Sequence, residues 1–264
     1  MTDKTPFKKE YTSDVVEVIE TVYGIGFLSQ GGEEAAQRML TGLDLKHKRL
    51  LDIGCGVGAP TLAVAKLEPT LQVTGVDVDA DLITIAKRHA LEQGFADRSE
   101  WLVSEPEGQL PFEDQQFDIV YGKESWLHVA DKSSFFKECA RVLKPGGLLV
   151  TLDWMHRSID YTPQMQSFAQ ADGLTFHFCT LQQYQNALGQ VGFKIQRCVD
   201  NSSYHLKYAQ DDVAFLTGTA KATLIQKLGV ATYQAYLNSW QLQVKIFESG
   251  EMQTYLIHAQ KPTV

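Results

Sequence analysis

The stretch DIGCGVG, residues 52–58, follows a short apolar run and opens a helical pattern. Its glycines let the backbone come into contact with a ligand, and the first turn of a helix offers N–H groups that have no partner within the helix. Asp52 precedes the glycines and can hold an ammonium group. The G-x-G-x-G spacing differs from the dinucleotide fingerprint G-x-G-x-x-G. The stretch therefore predicts a ligand site and disfavours a nicotinamide dinucleotide as the ligand.

Around this loop, short β-rich runs alternate with helical patterns. We predict helices at 60–66, 80–93 and 131–143, and strands at 49–54, 72–77, 101–103, 117–121, 148–153, 193–199 and 252–260. Strands that alternate with helices at this spacing form a parallel sheet with helices on both faces. The predicted fold class is α/β, with a Rossmann-like, doubly wound, mostly parallel seven-stranded sheet.

We expect residues 1–264 to form one domain, with the core at 41–155 and the last strands at 191–200 and 251–264. Residues 1–40 lie outside the alternating pattern, and we predict that this segment forms a cap that wraps across the site. Residues 156–190 and 201–250 are predicted to be insertions that form a lid over the open end of the sheet. The second insertion is mostly helical and too long for a loop.

The second predicted strand ends at Asp77, about 20 residues after the glycine loop. A carboxylate at this position can accept hydrogen bonds from both hydroxyls of a ribose. The carboxyl ends of neighbouring parallel strands meet at one edge of the sheet, so the loop and Asp77 predict a nucleoside site there.

Composition restricts the classes of partner. The hydrophobic fraction of 44% is typical of a globular protein, and the net charge of −8 disfavours binding to nucleic acid and to anionic membranes. The polar start of the chain does not resemble a signal peptide, and the cysteines at 55, 139, 179 and 198 are far apart. We therefore expect a cytoplasmic protein, monomeric or homodimeric, with reduced thiols and no metal site.

Four motifs occur in order between residues 50 and 153: L-D-I-G-C-G-x-G, G-V-D, L-P-F followed by F-D-I-V, and L-K-P-G-G. Together they resemble the class I S-adenosylmethionine-dependent methyltransferases. The resemblance implies that Asp52, Gly54 and Gly56 contact the methionine part of S-adenosyl-L-methionine and that Asp77 holds the ribose. It also implies an acidic residue near the adenine, for which Glu105 is the candidate. Val78 and Lys123 complete the set that we expect to bind the cofactor from this region.

A narrower resemblance comes from segments outside those motifs. Residues 10–12, 22–24 and 27–32, together with Trp126-Leu127-His128, look like the corresponding parts of phosphoethanolamine N-methyltransferases. That family implies that Tyr11 and His128 form a catalytic pair at the transferred methyl group. It also implies that Leu28 and Ser29 lie beside the cofactor.

The chemistry gives this pair a task. Methyl transfer to nitrogen needs a neutral lone pair, and an alkyl ammonium with a pKa near 10.4 is about 99.9% protonated at pH 7, so the free amine costs roughly 4 kcal/mol. A histidine with a pKa near 6.5 can accept that proton if it lies within hydrogen-bond reach. The tyrosine can fix the line of attack.

The chain departs from this family where its members bind the substrate phosphate. The aligned positions carry Glu10, Trp154, Gln170, Leu174, Phe176 and Gln243, and the only basic side chain between Ser158 and Gln190 is His177. A phosphate dianion without a cationic clamp would be unfavourable, so phosphoethanolamine is not the expected acceptor. We predict instead an acidic, aromatic-walled pocket for a cationic amine, formed by Glu10, Glu124, Trp126, Trp154 and Phe176. His156, His177 and His205 are interpreted as lid residues.

The leading hypothesis is therefore an S-adenosylmethionine-dependent methyltransferase that methylates the nitrogen of a small, non-phosphorylated amine. An alternative within the same class is O- or C-methylation of a natural-product or lipid-like acceptor. An alternative of another class is a non-catalytic protein that binds the cofactor and a partner.

Overall fold

The computed structural model of the chain describes residues 10–106, 108–158 and 160–263. The first nine residues, which belong to the predicted cap and to the polar start, lie outside the described residues. In the described part, no helix is long and apolar enough to cross a membrane.

One sheet of seven strands organises the described residues. The strands are β1 (Arg49–Ile53), β2 (Gln72–Asp77), β3 (Ser99–Val103), β4 (Phe117–Lys123), β5 (Leu143–His156), β6 (Lys194–Asp200) and β7 (Met252–Gln260). Their order is β3-β2-β1-β4-β5-β7-β6, and only β7 runs antiparallel to its neighbours. The predicted Rossmann-like, mostly parallel sheet is confirmed.

The helices described alongside the sheet are α1 (Ser13–Tyr23), α2 (Gly32–Arg38), α3 (Ala59–Ala65), α4 (Ala80–Glu92), α5 (Lys132–Val142), α6 (Pro163–Asp172), α7 (Leu181–Gln190), α8 (Ser202–Thr217), α9 (Lys221–Leu228) and α10 (Val230–Glu248). Helices cover both faces of the sheet, and β1 shows why its sequence is apolar throughout. Leu50 faces a cluster formed with α2, α3 and α4, whereas Leu51 faces a second cluster formed with α5 and α7. A strand buried on both faces needs a continuous apolar run rather than alternation.

Two predicted boundaries change for identifiable reasons. β5 begins at Leu143 rather than at residue 148 because Leu143 pairs with Phe117 across a register shift, and Gly146 passes through the strand with φ +75°. β5 also continues to His156, whose partner is Met252 at the start of β7. A partner strand extends pairing beyond the residues that apolar pattern alone marks as a strand.

The lid consists of helices that pack mainly on one another. Val18 of α1 joins Leu216, Leu224 and Leu237 of α8, α9 and α10 in one cluster, and α6 packs on α10 in another. The predicted helical character of residues 201–250 is thus observed. The assignment of residues 156–190 to the lid was wrong for α7. The buried face of this helix packs with α5 in the cluster on one face of the sheet.

The strand order reverses at β1, since β2 lies on one side of β1 and β4 lies on the other. A crevice opens at the carboxyl edge of a parallel sheet at such a switch point. The loops that follow β1, β2 and β4 therefore meet at one place, and the lid helices stand above them.

The glycine loop generates a stability prediction. Gly58 has φ +91°, and a Cβ there would lie 2.8 Å from Trp101 and 3.0 Å from Ala86, whereas Gly94 has φ +77° with nothing within 4 Å. Gly58→Ala adds a packing clash to the backbone strain of about 1–2 kcal/mol that both substitutions share. We expect Gly58→Ala to lower the free energy of unfolding by at least about 1 kcal/mol more than Gly94→Ala, measured by urea denaturation. Equal losses would contradict the close contact at Gly58.

Candidate active site

The glycine loop after β1 is held against the end of β2. The backbone N–H groups of Gly54 and Cys55 donate to the carbonyl oxygen of Val76 at 2.8 and 3.0 Å. Gly54 has φ +79°, and a Cβ there would lie 2.5 Å from the Cβ of Ser125, in the loop after β4. Because position 54 has no side chain, the loops after β1 and β4 can approach each other this closely.

Asp77 is fixed at the end of β2 by backbone N–H donors. Its Oδ2 accepts from Gly56 at 2.9 Å, and its Oδ1 accepts from Asp79 at 3.1 Å. Burial raises the pKa of Asp77 above its ordinary value, although these donors oppose the shift. The predicted ribose-binding carboxylate therefore lies directly against the glycine loop, with Val78 next to it in the chain.

Asp52 lies at the bottom of the same crevice and is almost completely buried. The hydroxyl of Thr61 donates to its Oδ2 at 2.6 Å. Burial raises the pKa of Asp52 to about 7, and the Thr61 hydrogen bond works in the opposite direction. A cation placed beside this carboxyl group would stabilise its charged form, as expected for a residue that holds an ammonium group.

Lys123 fastens the N-terminal segment to the sheet. Its ammonium donates to the Ser29 hydroxyl at 2.7 Å and to the Gln30 carbonyl at 2.6 Å, and lies 3.8 Å from a carboxylate oxygen of Glu124. Burial lowers the pKa of Lys123 below its ordinary value. This geometry gives Lys123 and Ser29 a positioning role, and their direct contact with a cofactor stays a prediction.

Leu28 connects the glycine loop to the lid. A Cβ on Gly56 would lie 3.0 Å from Cδ1 of Leu28, so this side chain covers the loop. Glu105, the predicted adenine contact, is exposed in the turn after β3. The backbone N–H of Ser104, just before it, donates to the Asp77 carbonyl oxygen. The role of Glu105 stays a prediction.

A cavity of about 330 Å³ lies between the carboxyl edge of the sheet and the lid. Seven predicted site residues line it: Tyr11, Leu28, Ser29, Glu124, His128, Trp154 and Phe176. Gln243, aligned above with a phosphate-binding position, also lines it, as do seven further polar or aromatic residues that were not predicted as site residues: Tyr23, Gln30, Asp172, Thr232, Tyr236, Ser239 and Trp240. Among the described residues that line the cavity there are two carboxylates and no lysine or arginine.

His128 is held in a defined tautomer. Its Nδ1 lies 2.7 Å from the carbonyl oxygen of Thr175, and its ring stacks on Phe176 at a centroid distance of 5.4 Å. Since a carbonyl oxygen accepts only, Nδ1 carries the proton and Nε2 keeps its lone pair in the neutral ring. Burial lowers the pKa of His128 below its ordinary value. The histidine is therefore neutral near pH 7 and has the form of a proton acceptor.

Tyr11 lines the cavity and packs against a small apolar cluster that includes Val57 of the glycine loop. It immediately precedes Thr12, whose hydroxyl caps α1. Burial raises the pKa of Tyr11 well above its ordinary value, and the next largest influences are the charges of Asp172 in the cavity wall and of Asp77 at the glycine loop. Tyr11 is thus protonated at neutral pH and can act as a hydrogen-bond donor between the two compartments.

The negative charge of Glu124 is balanced by neighbouring groups of the protein. It follows β4 with φ +53°, and its Oε1 lies 3.8 Å from Lys123 Nζ and 3.5 Å from His205 Nδ1. Although burial raises the pKa of Glu124, these neighbours outweigh it and hold the pKa below its ordinary value. His205, interpreted from the sequence as a lid residue, lies on α8 as expected and is buried beside this carboxylate.

Two predicted substrate residues do not line the cavity. The Oε1 of Glu10 accepts from the backbone N–H and the hydroxyl of Thr175 at 3.1 and 2.6 Å, so Glu10 ties the N-terminal segment to the loop after α6. Trp126 is 1% exposed, donates from Nε1 to the Ile53 carbonyl at 2.9 Å, and packs edge-on against Phe135 of α5. Trp126 is a core residue, and its prediction as a substrate contact was wrong.

The other candidate groups serve the core or lie apart from the site. Cys55 is buried, and all four cysteines are free. His156 lies on β5 rather than in the lid, whereas His177 is exposed after α6. No group of three or more potential metal ligands occurs in the described part of the chain.

Comparison with known proteins places this geometry in context. Residues 51–151 match a family described as a methyltransferase domain. The chain is 26% identical to phosphoethanolamine N-methyltransferase 3 of Arabidopsis thaliana over 96% of this chain and 50% of that protein. It is also 26% identical to the chloroplastic tocopherol O-methyltransferase of Arabidopsis thaliana, over 82% of this chain and 64% of that protein. The chain spans about half the length of the first of these curated relatives.

A solved structure shares the fold. Haemonchus contortus phosphoethanolamine N-methyltransferase 2, in complex with S-adenosyl-L-methionine, matches with a TM-score of 0.87 and 21% identity, over 97% of this chain and 58% of that chain. The chain therefore contains a methyltransferase domain with the class I, S-adenosylmethionine-dependent fold, and it resembles the phosphoethanolamine N-methyltransferases.

Proposed function

We propose that this chain transfers the methyl group of S-adenosyl-L-methionine to a nitrogen of a small, non-phosphorylated amine. The observation that carries the proposal is the wall of the cavity. Its ionisable groups in the described residues are the carboxylates of Glu124 and Asp172, the imidazole of His128 and tyrosine hydroxyls, among aromatic rings. Such a wall favours a cation and leaves one neutral base for its proton.

The crevice at the glycine loop fits the cofactor. Its left-handed glycines contribute no side chain of their own to the crevice, and Asp77 is fixed there by two backbone donors. When bound, S-adenosylmethionine supplies an electrophilic methyl group on a sulfonium. Asp52 would face its ammonium and Asp77 its ribose, with Gly54, Gly56, Val78, Leu28 and Glu105 as further contacts.

His128 and Tyr11 would prepare the acceptor. The Nε2 lone pair of His128 accepts the proton of the substrate ammonium, which leaves a neutral amine in front of the crevice. Tyr11, protonated and placed between the compartments, orients the nitrogen and closes the cavity to water. Positioning of this kind supplies much of the acceleration of a bimolecular displacement because the entropy loss precedes the reaction.

The same wall disfavours a phosphorylated acceptor. A phosphate dianion would lie in a small cavity with Glu124 and Asp172 and without a lysine or arginine from the described lining. Buried charge without a partner is strongly unfavourable, and phosphate sites in proteins use cationic clamps. We therefore infer an acceptor other than the phosphorylated amine for which those relatives are named.

O-methylation is the second candidate, supported by the similarity to a tocopherol O-methyltransferase. Leu127, Val15 and Ile19 give part of the cavity an apolar wall. The carboxylate of Asp172 in the same wall forms no ion pair with a lysine, arginine or histidine of the described residues, so it favours the amine over an apolar phenol, which would bury it without a cation.

A labelled-methyl assay tests the proposal. The purified chain is incubated with S-adenosylmethionine that carries a trideuterated methyl group and with a panel of amines, phosphorylated amines and phenols, and products are identified by mass spectrometry. We expect label on the nitrogen of non-phosphorylated amines. Label only on phosphoethanolamine or on phenols would contradict the proposal, and binding of the cofactor without any labelled product would support the non-catalytic alternative.

Cofactor binding should depend on Asp77 more than on Glu105. Asp77→Asn removes the charge of a carboxylate that is fixed against the loop, and hydrogen bonds to charged groups are worth about 1.5–3 kcal/mol. We expect at least a tenfold rise in the Kd of S-adenosylhomocysteine for Asp77→Asn, and a smaller rise for Glu105→Gln, by isothermal calorimetry. Unchanged affinity of a folded Asp77→Asn variant would contradict the assignment.

Substitutions in the catalytic pair should lower kcat without a comparable change in cofactor affinity. His128→Ala removes the proton acceptor, and we expect kcat to fall about 100-fold or more, as for loss of a general base. Tyr11→Phe should lower kcat in the same direction while cofactor affinity stays within a few-fold. His177→Ala, an exposed histidine, is the matched control and should leave kcat unchanged. Unchanged kcat in both site variants would remove the pair from the mechanism.

The pH profile follows from the direction of the His128 shift. Its pKa lies below the ordinary value, so the accepting neutral form predominates at pH 7 and is lost as the pH falls through that lower pKa. We expect kcat/KM of the native protein, divided by that of His128→Ala, to be constant above about pH 7 and to decline below pH 6.5. The division removes the ionisation of the amine itself. A ratio that stays constant down to pH 5 would contradict the role of His128.

A further inference from the structure

The cavity has two ends that differ in charge. At the sheet end, Glu124 is paired with Lys123 and His205, and His128 is bonded to Thr175. At the lid end, Asp172 closes α6 and receives a hydrogen bond from the Ser239 hydroxyl of α10 at 3.2 Å. No lysine, arginine or histidine of the described residues forms an ion pair with Asp172.

Asp172 is placed where a carboxylate is unfavourable for two reasons. As the last residue of α6, it lies at the helix end that carries partial negative charge. It is also largely withdrawn from water, and this burial raises its pKa to about 6, with the charge of Glu10 acting in the same direction. A carboxylate kept in such a place, in a cavity wall, indicates a cation that is supplied from outside the chain.

Aromatic residues line the same cavity as Asp172. Tyr236, Ser239 and Trp240 lie three and four residues apart on α10 and so share one helix face, and Ser239 is the residue bonded to Asp172. Tyr236 and Tyr23 both approach Trp240, each at a centroid distance of 6.0 Å and with tilted rings. A cavity wall that combines a carboxylate with aromatic faces is typical of sites that bind alkylated ammonium groups in proteins.

This lid-end cage, formed by Asp172, Tyr23, Tyr236 and Trp240, shares no residue with the catalytic pair but lies close to it, since the charge of Asp172 raises the pKa of Tyr11. Thr175, which holds His128, is three residues beyond Asp172, a distance of at most about 11 Å between Cα atoms even if that segment were fully extended. A carboxylate that touched the attacked nitrogen would stabilise its protonated form and oppose the reaction. The cage therefore suits a second nitrogen of a short acceptor.

We propose that the lid-end cage binds a positively charged nitrogen of the acceptor other than the one that is methylated, so that the preferred acceptor is a short, dibasic amine. This inference rests on the proposed function and names the substrate class of the same cavity. His128 takes the proton from the nearer nitrogen, whereas the farther nitrogen stays protonated against Asp172.

Calorimetry on the chain loaded with S-adenosylhomocysteine tests the cage without requiring turnover. The ligands are putrescine and n-butylamine, which have the same carbon chain and differ by one amino group. We expect the native protein to bind putrescine at least tenfold more tightly. Asp172→Asn should abolish this difference, and Ser239→Ala should reduce it. Asp160→Asn, which removes the same charge from an exposed position, should retain it.

Equal affinities for the two amines in the native protein, no detectable binding of either, or a preference retained in a folded Asp172→Asn variant would overturn the cage. Parallel assays of methyl transfer separate the two proposals. Methylation of both amines at similar kcat/KM, without tighter binding of putrescine, would leave the proposed function and remove the cage. A preference for putrescine that depends on Asp172, without transfer to any acceptor, would leave the cage and remove the proposed function.

Discussion

The hydrogen bond from the Gly56 N–H to the Asp77 carboxylate is the contact on which the site depends. It joins the loop after β1 to the end of β2, at the switch point where the strand order of the sheet reverses. Gly56 makes this bond with a positive φ of 55°, a conformation that glycine adopts without strain, and a Cβ at this position would lie only 3.0 Å from Leu28. The bond also requires a carboxylate that stays charged in a buried place, which the additional donor from Asp79 favours. One loop conformation thus defines both the crevice and the acid beside it.

The rest of the site is attached to this edge by buried polar contacts. Lys123 holds Ser29 and Gln30, and Gln30 in turn donates to Asp212 of α8 at 2.6 Å. The N-terminal segment and the lid are therefore connected to the end of β4 through buried or partly buried hydrogen bonds. Such a network favours one arrangement of its members, because each lost contact removes a partner from a group that is buried or partly buried. The cavity above the crevice is defined by this attachment more than by the sheet itself.

Sequence patterns predicted the fold well because burial on both faces leaves continuous apolar runs such as that of β1, and glycines mark the loop. The same patterns predicted the acceptor site less well than the fold. Trp126 and His128 belong to one 3₁₀ turn, in which residues two apart point in different directions, so one side chain enters the core while the other lines the cavity. Asp172 was missed because nothing in a sequence shows which helix end will face a cavity. That information lies in how α6 packs on α10.

The central claim is that the crevice and the cavity form one continuous reaction site. A crystal structure of the chain with S-adenosylhomocysteine tests it most directly. The account predicts the ribose hydroxyls on Asp77 and the sulfur atom at the opening between Tyr11 and His128, facing the cavity. A ligand whose sulfur points away from that opening, or one bound outside the glycine loop, would contradict it.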